Sequence, residues 1–199
     1  MSSPGPAIGI FGGTFDPIHT AHLELAELVR VTLDLDGMLL VVANLPWQKE
    51  GERVVTPAED RFAMVQAATE EWPGLTPSRM EIDRGGPSYT LDTVRQLLAE
   101  EPGARLTLVV GSDVVAGLAT WHEHEILSDL VTLAVVGRPG ADPADPPPGW
   151  RAVSVPAVPF DVSSTDLRRR LERGEPVEGL VPEPVIRCIR QRGLYATDR

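Results

Sequence analysis

Two histidines lie three residues apart, and the first of them follows, by six positions, a short apolar run that ends in paired glycines. The segment reads Gly12-Gly13-Thr14-Phe15-Asp16-Pro17-Ile18-His19-Thr20-Ala21-His22. Glycines at a strand end allow backbone N–H groups to approach a phosphate closely, and histidines three apart at a helix start can face the same side. His19 and His22 are therefore candidates for phosphate contact, for metal ligation, or for capping and packing. Metal ligation is disfavoured, because the chain has neither an H-E-x-x-H pattern nor a cysteine cluster.

A second candidate site lies near the other end of the chain. Its sequence, Ser163-Ser164-Thr165-Asp166-Leu167-Arg168, begins an amphipathic segment. Hydroxyl groups at a helix start cap free N–H groups, and the same end attracts anions through those groups and the helix dipole. Arg168 adds a guanidinium that can hold a phosphate through two hydrogen bonds. Taken alone, the segment also fits an N-cap followed by a solvated arginine, so its anion-binding interpretation depends on the first segment.

The elements that must position these residues alternate between strand and helix. Nearly all-apolar runs predict buried strands at Ile8–Phe11, Met38–Ala43, Leu106–Val110 and Val131–Val136, with a weaker strand at Arg151–Val155. Apolar positions three to four apart predict helices at Thr20–Leu33, Pro57–Trp72, Thr90–Glu101, Glu123–Leu130, Thr165–Arg173 and Pro182–Arg192. This alternation predicts an α/β fold with a parallel sheet covered on both faces. The proline-rich segment 138–150 is interpreted as a surface loop, too short for a domain linker.

Charge and composition restrict the classes of function. The 199 residues include 18 Lys+Arg and 29 Asp+Glu, giving a net charge of −11, which disfavours nucleic-acid and membrane partners. Lys49 is the only lysine, so a bound phosphate must be held by a few placed cations, mostly arginines. The lone Cys188 cannot form an internal disulfide, and the chain shows neither a cationic apolar leader nor a membrane-length apolar run. We therefore expect a cytoplasmic protein.

Several landmarks along the chain resemble one enzyme family. The segment GGTFDPIHTAHL is similar to the G-[GS]-F-D-P-x-H-x-G-H signature of the nucleotidylyltransferase superfamily, and SSTDLRRR is similar to its S-S-T-x-[IL]-R motif. Between them, RGGPSYTLDT at 84–93, GSD at 111–113, Trp121 and GRPG at 137–140 resemble bacterial nicotinate-mononucleotide adenylyltransferases in the same order. The chain departs from the signature at Ala21, where the family usually has glycine.

The resemblance implies a fold and an activity. The implied fold is a single nucleotidylyltransferase domain over residues 1–199: a Rossmann-like doubly wound parallel sheet with helices on both faces, with about 161–199 forming a small C-terminal helical segment. The implied reaction joins ATP and nicotinate mononucleotide to give nicotinate adenine dinucleotide and pyrophosphate in NAD biosynthesis. Mg²⁺ accompanies ATP as the implied cofactor, with no metal-ligating protein residues expected. A homo-oligomer is left open.

The resemblance also implies roles for individual residues. The catalytic set, acting on the ATP phosphates, is His19, His22 and Arg168. The ATP-binding set is Gly12, Gly13, Thr14, Phe15, Asp113, Arg138, Ser164 and Thr165. The set for nicotinate mononucleotide is Lys49, Tyr89, Thr90 and Trp121. Structural alternatives stay open for Asp113 as a helix N-cap, Trp121 as a core tryptophan and Lys49 as a surface lysine.

Other functions share parts of these motifs. A phosphopantetheine adenylyltransferase would have the first motif, but the Arg84–Thr93 segment and Trp121 favour a pyridine mononucleotide. Nicotinamide mononucleotide stays open as an alternative pyridine substrate. A non-catalytic nucleotide sensor would have less need of His19, His22 and Arg168. A class I aminoacyl-tRNA synthetase fragment shares an H-x-x-H turn, but this chain is acidic and lacks a K-M-S-K-S sequence.

Overall fold

One sheet organises the computed structural model, which describes residues 5–45, 55–137, 145–156 and 162–196. Within those residues its six strands are β1 (Ala7–Gly13), β2 (Gly37–Val42), β3 (Leu75–Ser78), β4 (Arg105–Gly111), β5 (Val131–Val136) and β6 (Arg151–Val155). Their order across the sheet is β3-β2-β1-β4-β5-β6. The pairings β1–β4, β4–β5 and β5–β6 are parallel, with Ala7 opposite Arg105 and Gly111 opposite Val136.

The direction of strand addition reverses between β1 and β4. The chain proceeds outward from β1 to β2 and β3, returns to place β4 beside β1, and then proceeds outward again to β5 and β6. Right-handed crossovers in opposite directions along a parallel sheet place their helices on opposite faces. The prediction of a Rossmann-like doubly wound sheet is confirmed.

The described residues form eight α-helices and one short 3-10 turn at Leu118–Thr120. The helices are α1 (Thr20–Thr32), α2 (Ala58–Thr69), α3 (Met80–Arg84), α4 (Thr90–Glu100), α5 (Ser112–Val115), α6 (His124–Leu130), α7 (Ser164–Glu172) and α8 (Glu183–Arg192). The C-terminal helical segment of the prediction corresponds to α7 and α8.

The core contains the apolar residues of the inner strands. Every residue of Leu106–Val110 in β4 is buried, as is every residue of Leu133–Val136 in β5. Such continuous apolar runs are typical of parallel strands covered on both faces. In β1, an added Cβ at Gly9 would lie 2.6 Å from the sulfur of Met38, so a side chain there would displace the buried Met38 side chain on β2.

Contacts divide the chain into two compact units. The first comprises Met1–Gly12, Glu27–Leu39 and Tyr89–Pro159, and the second comprises Gly13–Ala26, Leu40–Ser88 and Phe160–Arg199. A single domain over 1–199 stays a prediction.

The longer elements agree with the sequence prediction, and the short ones were missed. β6 and β5 have the predicted bounds, and helix ends differ by a few residues. The helix predicted over Pro57–Trp72 ends at Thr69, whose hydroxyl donates to the carbonyls of Val65 and Gln66 at 3.2 and 3.1 Å. The four-residue β3 and α5 and the five-residue α3 were not predicted, because they are too short to show a hydrophobic period.

Candidate active site

The six residues 14–19 connect β1 to α1, and we call them the β1–α1 turn. Phe15 in this turn has a left-handed backbone conformation with φ of 50°. Its ring lies against Gly13, where an added Cβ would be 2.8 Å from the ring. At Gly12, by contrast, an added Cβ would meet nothing within 4 Å. Packing therefore requires glycine at position 13 and leaves an open approach at position 12, as a phosphate contact there would need.

His19 and His22 lie together at the end of this turn. Their rings stack with centroids 3.7 Å apart and an interplanar angle of 25°. The backbone N–H of His19 donates to Nδ1 of His22 at 3.3 Å, and the backbone N–H of His22 donates to the carbonyl of His19 at 2.9 Å. The Phe15 ring meets His22 edge-on at 5.2 Å. The prediction that the two imidazoles share one side is confirmed.

The two imidazoles differ in their surroundings. His19 is only 5% exposed, and burial lowers its pKa to about 4, whereas His22 is half-buried. Nδ1 of His19 is buried and makes no hydrogen bond with any described residue. Buried polar atoms in native proteins almost always have a partner, and an orphaned one points to a missing group such as a ligand. This atom is therefore the strongest sign of a binding site in the turn.

The second motif begins α7 and contacts the first. The side chain of Ser163 caps the helix by accepting from the backbone N–H of Asp166 at 3.1 Å. The next hydroxyl, on Ser164, donates to the carbonyl of Pro17 at 2.9 Å. Arg168 donates to the carbonyl of Asp16 at 2.6 Å and to the hydroxyl of Thr165 at 3.0 Å. The structure thus brings together two motifs that are about 150 residues apart in the sequence.

Arg61 of α2 is a residue of this region that sequence reasoning missed. It is 1% exposed, and its guanidinium donates to three carbonyls: Thr56 at 2.8 Å, Thr14 at 2.8 Å and Asn44 at 3.1 Å. The sequence does indicate that Arg61 is buried, because helical spacing places it on the same face of α2 as the buried Val65 and Ala68. A charged residue on a buried face needs several partners.

Tyr195 was also missed, because the segment after Arg173 carried no recognised motif. Its hydroxyl donates to Oδ1 of Asp16 at 2.6 Å. Asp16 is 1% exposed, and its Oδ2 accepts from the backbone N–H of Thr56 at 3.5 Å. We find no feature of the sequence that would have paired a residue so near the C-terminus with the β1–α1 turn.

Three residues proposed for nicotinate mononucleotide belong to the first compact unit. Thr90 is the first residue of α4, and Tyr89 is its N-cap, as the sequence predicted. The Tyr89 ring stacks on His122 with centroids 4.6 Å apart. Trp121 precedes His122 at the end of the 3-10 turn and is half-buried, so it is not a core tryptophan. His122 is an aromatic partner that the sequence analysis did not select.

Asp113 lies inside α5 and does not cap it. The N-cap is Gly111, so the alternative interpretation of Asp113 as an N-cap is wrong. Asp113 is exposed, and its Oδ1 would be 2.5 Å from a Cβ added at Gly111. The carboxylate thus folds back over the glycine at the end of β4.

Two predicted site residues, Lys49 and Arg138, lie outside the described residues. In the part of the chain that the structure describes, no three His, Cys, Asp or Glu side chains are grouped to hold a metal ion. Nor is any helix there long and apolar enough to cross a membrane.

Comparison with known sequences identifies similar proteins over nearly the whole chain. The profile of a family described as Cytidylyltransferase-like matches residues 10–170. A Streptomyces coelicolor protein named "Probable nicotinate-nucleotide adenylyltransferase" is 46% identical over 187 residues, covering 92% of this chain and 98% of the relative. A Leifsonia xyli protein of the same name is 44% identical over 191 residues, covering 96% and 94%.

Comparison with solved structures supports the fold. The nicotinic acid mononucleotide adenylyltransferase of Plasmodium falciparum complexed with NaAD has a TM-score of 0.78 and 17% identity, covering 96% of this chain and 97% of that one. The same enzyme complexed with APC has a TM-score of 0.76 at the same identity and coverage. At such low identity the likeness is evidence for the fold alone.

Proposed function

This chain belongs to the nicotinate-nucleotide adenylyltransferases of the cytidylyltransferase-like family, and we propose that it joins ATP and nicotinate mononucleotide in NAD biosynthesis. The products are nicotinate adenine dinucleotide and pyrophosphate.

The observation that carries the proposal is the orphaned Nδ1 of His19, in a turn that the start of α7 contacts directly. Arg168 and Ser164 hold the carbonyls of Asp16 and Pro17, so a cation and a helix N-terminus lie beside the turn that carries His19 and leads into the helix of His22. A helix start, a guanidinium and imidazoles are the groups that bind phosphates in proteins. Their grouping supports a site for the phosphates of ATP.

The chemistry requires positioned donors more than it requires a base. An oxygen of the 5′-phosphate of nicotinate mononucleotide attacks the α-phosphorus of ATP and forms a new P–O bond. The bond between the α-phosphorus and the oxygen that bridges it to the β-phosphorus breaks. Pyrophosphate leaves with that electron pair. A phosphate monoester is already anionic near neutral pH, so no general base is needed. Repulsion between two polyanions and charge on the leaving group remain, and donors fixed in place offset both.

The proposed contacts to ATP come mainly from the two joined motifs. His19 and His22 contact the phosphates and stabilise the transition state, and the glycines and backbone of Gly12–Phe15 lie near the α-phosphate. Ser164, Thr165 and Arg168 hold the β- and γ-phosphates. Asp113 accepts from a ribose hydroxyl, and Arg138 lines the adenosine side. Support comes from the hydrogen bonds that place Arg168 at the turn and from the exposed carboxylate of Asp113.

The proposed contacts to nicotinate mononucleotide come from the start of α4 and the residues after the 3-10 turn. Trp121 stacks on the pyridine ring, and Tyr89 and Thr90 present backbone N–H groups to the nicotinate carboxylate. The half-buried state of Trp121 and the position of Thr90 at the first turn of α4 support these roles. Lys49 meets the phosphate of the mononucleotide.

Mg²⁺ is proposed to enter as its complex with ATP. It prefers oxygen ligands, and it commonly reaches such sites bound to substrate phosphates. The imidazoles of His19 and His22 and the guanidinium of Arg168 suit the phosphates of that complex better than the metal itself. The carboxylate of Asp16 in the turn is 1% exposed and already accepts hydrogen bonds from Tyr195 and Thr56. The proposed location is the cytoplasm, a reducing compartment compatible with the lone Cys188.

A pyrophosphate-release assay with a panel of substrates tests the proposed function. The protein is supplied with Mg·ATP and, in separate reactions, with nicotinate mononucleotide, nicotinamide mononucleotide or phosphopantetheine. We expect the highest kcat/KM with nicotinate mononucleotide, because a helix start that receives a carboxylate favours the acid over the neutral amide.

Two results would overturn the proposal. Turnover with phosphopantetheine alone would identify a different adenylyltransferase. Tight binding of ATP, measured by calorimetry, without turnover of any acceptor would identify a nucleotide sensor. The variant His22→Ala serves as the control for contaminating activity, since genuine turnover should fall with it.

A further inference from the structure

We propose that Tyr195 is a positioning residue for the β1–α1 turn: its hydroxyl holds the carboxylate of Asp16 and thereby fixes the backbone that carries the proposed phosphate contacts. The inference rests on the proposed function of that turn. The contact gives the segment that follows α7 a role at the proposed site.

The contact between Tyr195 and Asp16 is short and shielded from water. The hydroxyl oxygen lies 2.6 Å from Oδ1 of Asp16, a distance typical of a hydrogen bond to a charged acceptor. The other carboxylate oxygen accepts from the backbone N–H of Thr56 at 3.5 Å, a much longer contact. Since Asp16 is 1% exposed, its carboxylate depends on protein donors, and Tyr195 supplies the shorter of these two bonds.

Asp16 stands in a turn whose backbone must be held. The preceding residue, Phe15, has φ of 50°, a left-handed conformation that is unfavourable for an aromatic residue. Side chains hold the carbonyls on either side of that residue: Arg61 contacts Thr14 at 2.8 Å and Arg168 contacts Asp16 at 2.6 Å. The Tyr195 contact adds the restraint on the Asp16 side chain.

Tyr195 is itself fixed by the elements around it. Gly193, with φ of 63°, ends α8 in a left-handed turn, and the backbone N–H of Leu194 donates to the carbonyl of Ile189 at 3.0 Å. The phenol hydroxyl also lies 3.8 Å from the sulfur of Met64 on α2. The packing of α8 against α2 therefore sets where the hydroxyl is placed.

The surroundings of Tyr195 favour the protonated phenol, which donates to Asp16. Burial, together with the negative charge of Asp16, raises the pKa of Tyr195 well above its ordinary value. The hydroxyl therefore keeps its proton at pH values where a free tyrosine would lose it, and the carboxylate is the acceptor. A phenol that donates to a buried carboxylate in this way fixes the position of that carboxylate.

Removing the hydroxyl should loosen the turn with little change in volume. In Tyr195→Phe, Oδ1 of Asp16 loses its 2.6 Å partner while the aromatic ring stays. Catalytic donors act only when they are held close to the reacting charge, and small displacements of them lower kcat more than they weaken ground-state binding. We expect kcat to fall about tenfold, with KM for nicotinate mononucleotide changed less than twofold.

A double-mutant cycle and hydrogen exchange separate this role from a general loss of stability. We expect Asp16→Asn to lower kcat, and Tyr195→Phe to have much less effect when added to Asp16→Asn than when made in the wild type, because both changes act on one contact. Hydrogen exchange measured by mass spectrometry should be faster for peptides covering residues 14–19 in Tyr195→Phe. The matched control is Arg192→Met, which removes a 2.6 Å bond between α8 and Asp60 of α2 without touching the turn.

The outcomes distinguish failure of the inference from failure of the proposed function. If wild-type enzyme turns over and Tyr195→Phe has the kcat of Arg192→Met, with unchanged exchange at residues 14–19, the positioning role is wrong. If effects of Tyr195→Phe and Asp16→Asn on kcat are additive, the contact between them is not the cause. If the wild type lacks adenylyltransferase activity but Tyr195→Phe accelerates exchange in the turn, the proposed function fails while the structural link stands.

Discussion

At the scale of single residues, the proposed site contains two stacked imidazoles in unequal surroundings. His19 is buried, with its pKa lowered to about 4, so it is neutral near pH 7. His22 accepts a hydrogen bond at Nδ1 from the His19 backbone, and a neutral imidazole that accepts at Nδ1 carries its proton on Nε2. The proton of His22 is therefore on the far side of its ring from the bond that fixes it, where it is suited to donate to a phosphate oxygen.

Replacing His22 tests this role. We expect His22→Ala to lower kcat about 100-fold or more, the effect of removing a donor to a developing negative charge. The control is His124→Ala at the start of α6, which should leave kcat within about twofold. Steady-state pyrophosphate release measures kcat, and calorimetry with ATP shows whether binding persists. An unchanged kcat in His22→Ala would refute the role.

His19 predicts a pH dependence of stability with a definite sign. Its pKa is about 4 in the folded chain and 6.5 when unperturbed, because burial penalises the charged form. Between these values the unfolded chain binds a proton that the folded chain does not, so the contribution is complete above pH 6.5 and is lost as the pH falls toward 4. From pH 7.5 to pH 5 the loss should be about 2 kcal/mol.

The variant His19→Asn isolates this contribution, because the amide does not titrate. Urea denaturation at pH 7.5 and at pH 5 gives the free energy of unfolding of each protein at both pH values. The loss between pH 7.5 and pH 5 should be smaller in the variant than in the wild type by about 2 kcal/mol. Equal losses in both proteins would show that His19 is not held neutral by burial.

Trp121 tests the site proposed for the pyridine ring. We expect Trp121→Ala to raise KM for nicotinate mononucleotide about tenfold through the loss of stacking, with KM for ATP nearly unchanged. Trp72, a half-buried tryptophan in the turn after α2, provides the control, since Trp72→Ala should change neither KM. Equal effects on the two substrates in Trp121→Ala would point to a structural role instead.

At the scale of elements, the first turn of α7 combines helix capping with support of the β1–α1 turn. Neighbouring hydroxyls divide the work: Ser163 caps its own helix, while Ser164 donates across to Pro17. Arg168, one turn further, donates to Asp16. Whatever stabilises the start of α7 therefore also stabilises the position of the turn that carries His19 and leads into the helix of His22.

The cap predicts a measurable cost. Ser163→Ala should lower the free energy of unfolding by about 1 kcal/mol, because the N–H of Asp166 loses its acceptor. Ser163→Asn keeps an accepting oxygen and should have nearly wild-type stability. Urea denaturation of the three proteins measures the difference. A destabilised Ser163→Asn with a stable Ser163→Ala would show that the cap is not the source of the effect.

Elements with a clear hydrophobic period could be predicted from the sequence, and they account for most of the fold. Local patterning determines α1, α4 and β5, because the sequence of each contains a repeating apolar face or a continuous apolar run. The short β3, LTPS, has a single buried residue and pairs as a strand only because a neighbour is available. Its existence depends on tertiary context, which local patterns do not contain.

The placement of the candidate site residues could be predicted where a motif lies at the start of a helix, but the long-range contacts that support the candidate site could not. His19, His22 and the capped start of α7 follow from residue types at a helix start. Arg61 and Tyr195 act on the same turn from α2 and from beyond α8, by donating to a carbonyl and a carboxylate. Such contacts depend on how the helices pack, and no spacing within the sequence encodes them.

At the scale of the whole molecule, a chain of net charge −11 must bind two polyanionic nucleotides. Many of its arginines cannot contribute a free positive field, because a carboxylate neutralises each of them locally. Among the described residues these pairs include Arg30 with Glu27, Arg79 with Glu59 and Asp83, Arg170 with Asp166, and Arg192 with Asp60. Attraction for phosphate is then confined to short-range contacts, while the long-range field repels the substrates.

The contrast between short-range attraction and long-range repulsion predicts an unusual salt dependence of catalysis. Raising the ionic strength from about 10 mM to about 150 mM shortens the screening length from about 30 Å to about 8 Å. The long-range repulsion should weaken more than the direct contacts do, so kcat/KM for nicotinate mononucleotide, at saturating Mg·ATP, should rise about threefold. Uncharged adenosine, measured as a competitive inhibitor, provides the control, because its inhibition constant should not respond to salt. A kcat/KM that falls with salt would instead mean that the field near the site attracts the substrate despite the net charge of the chain.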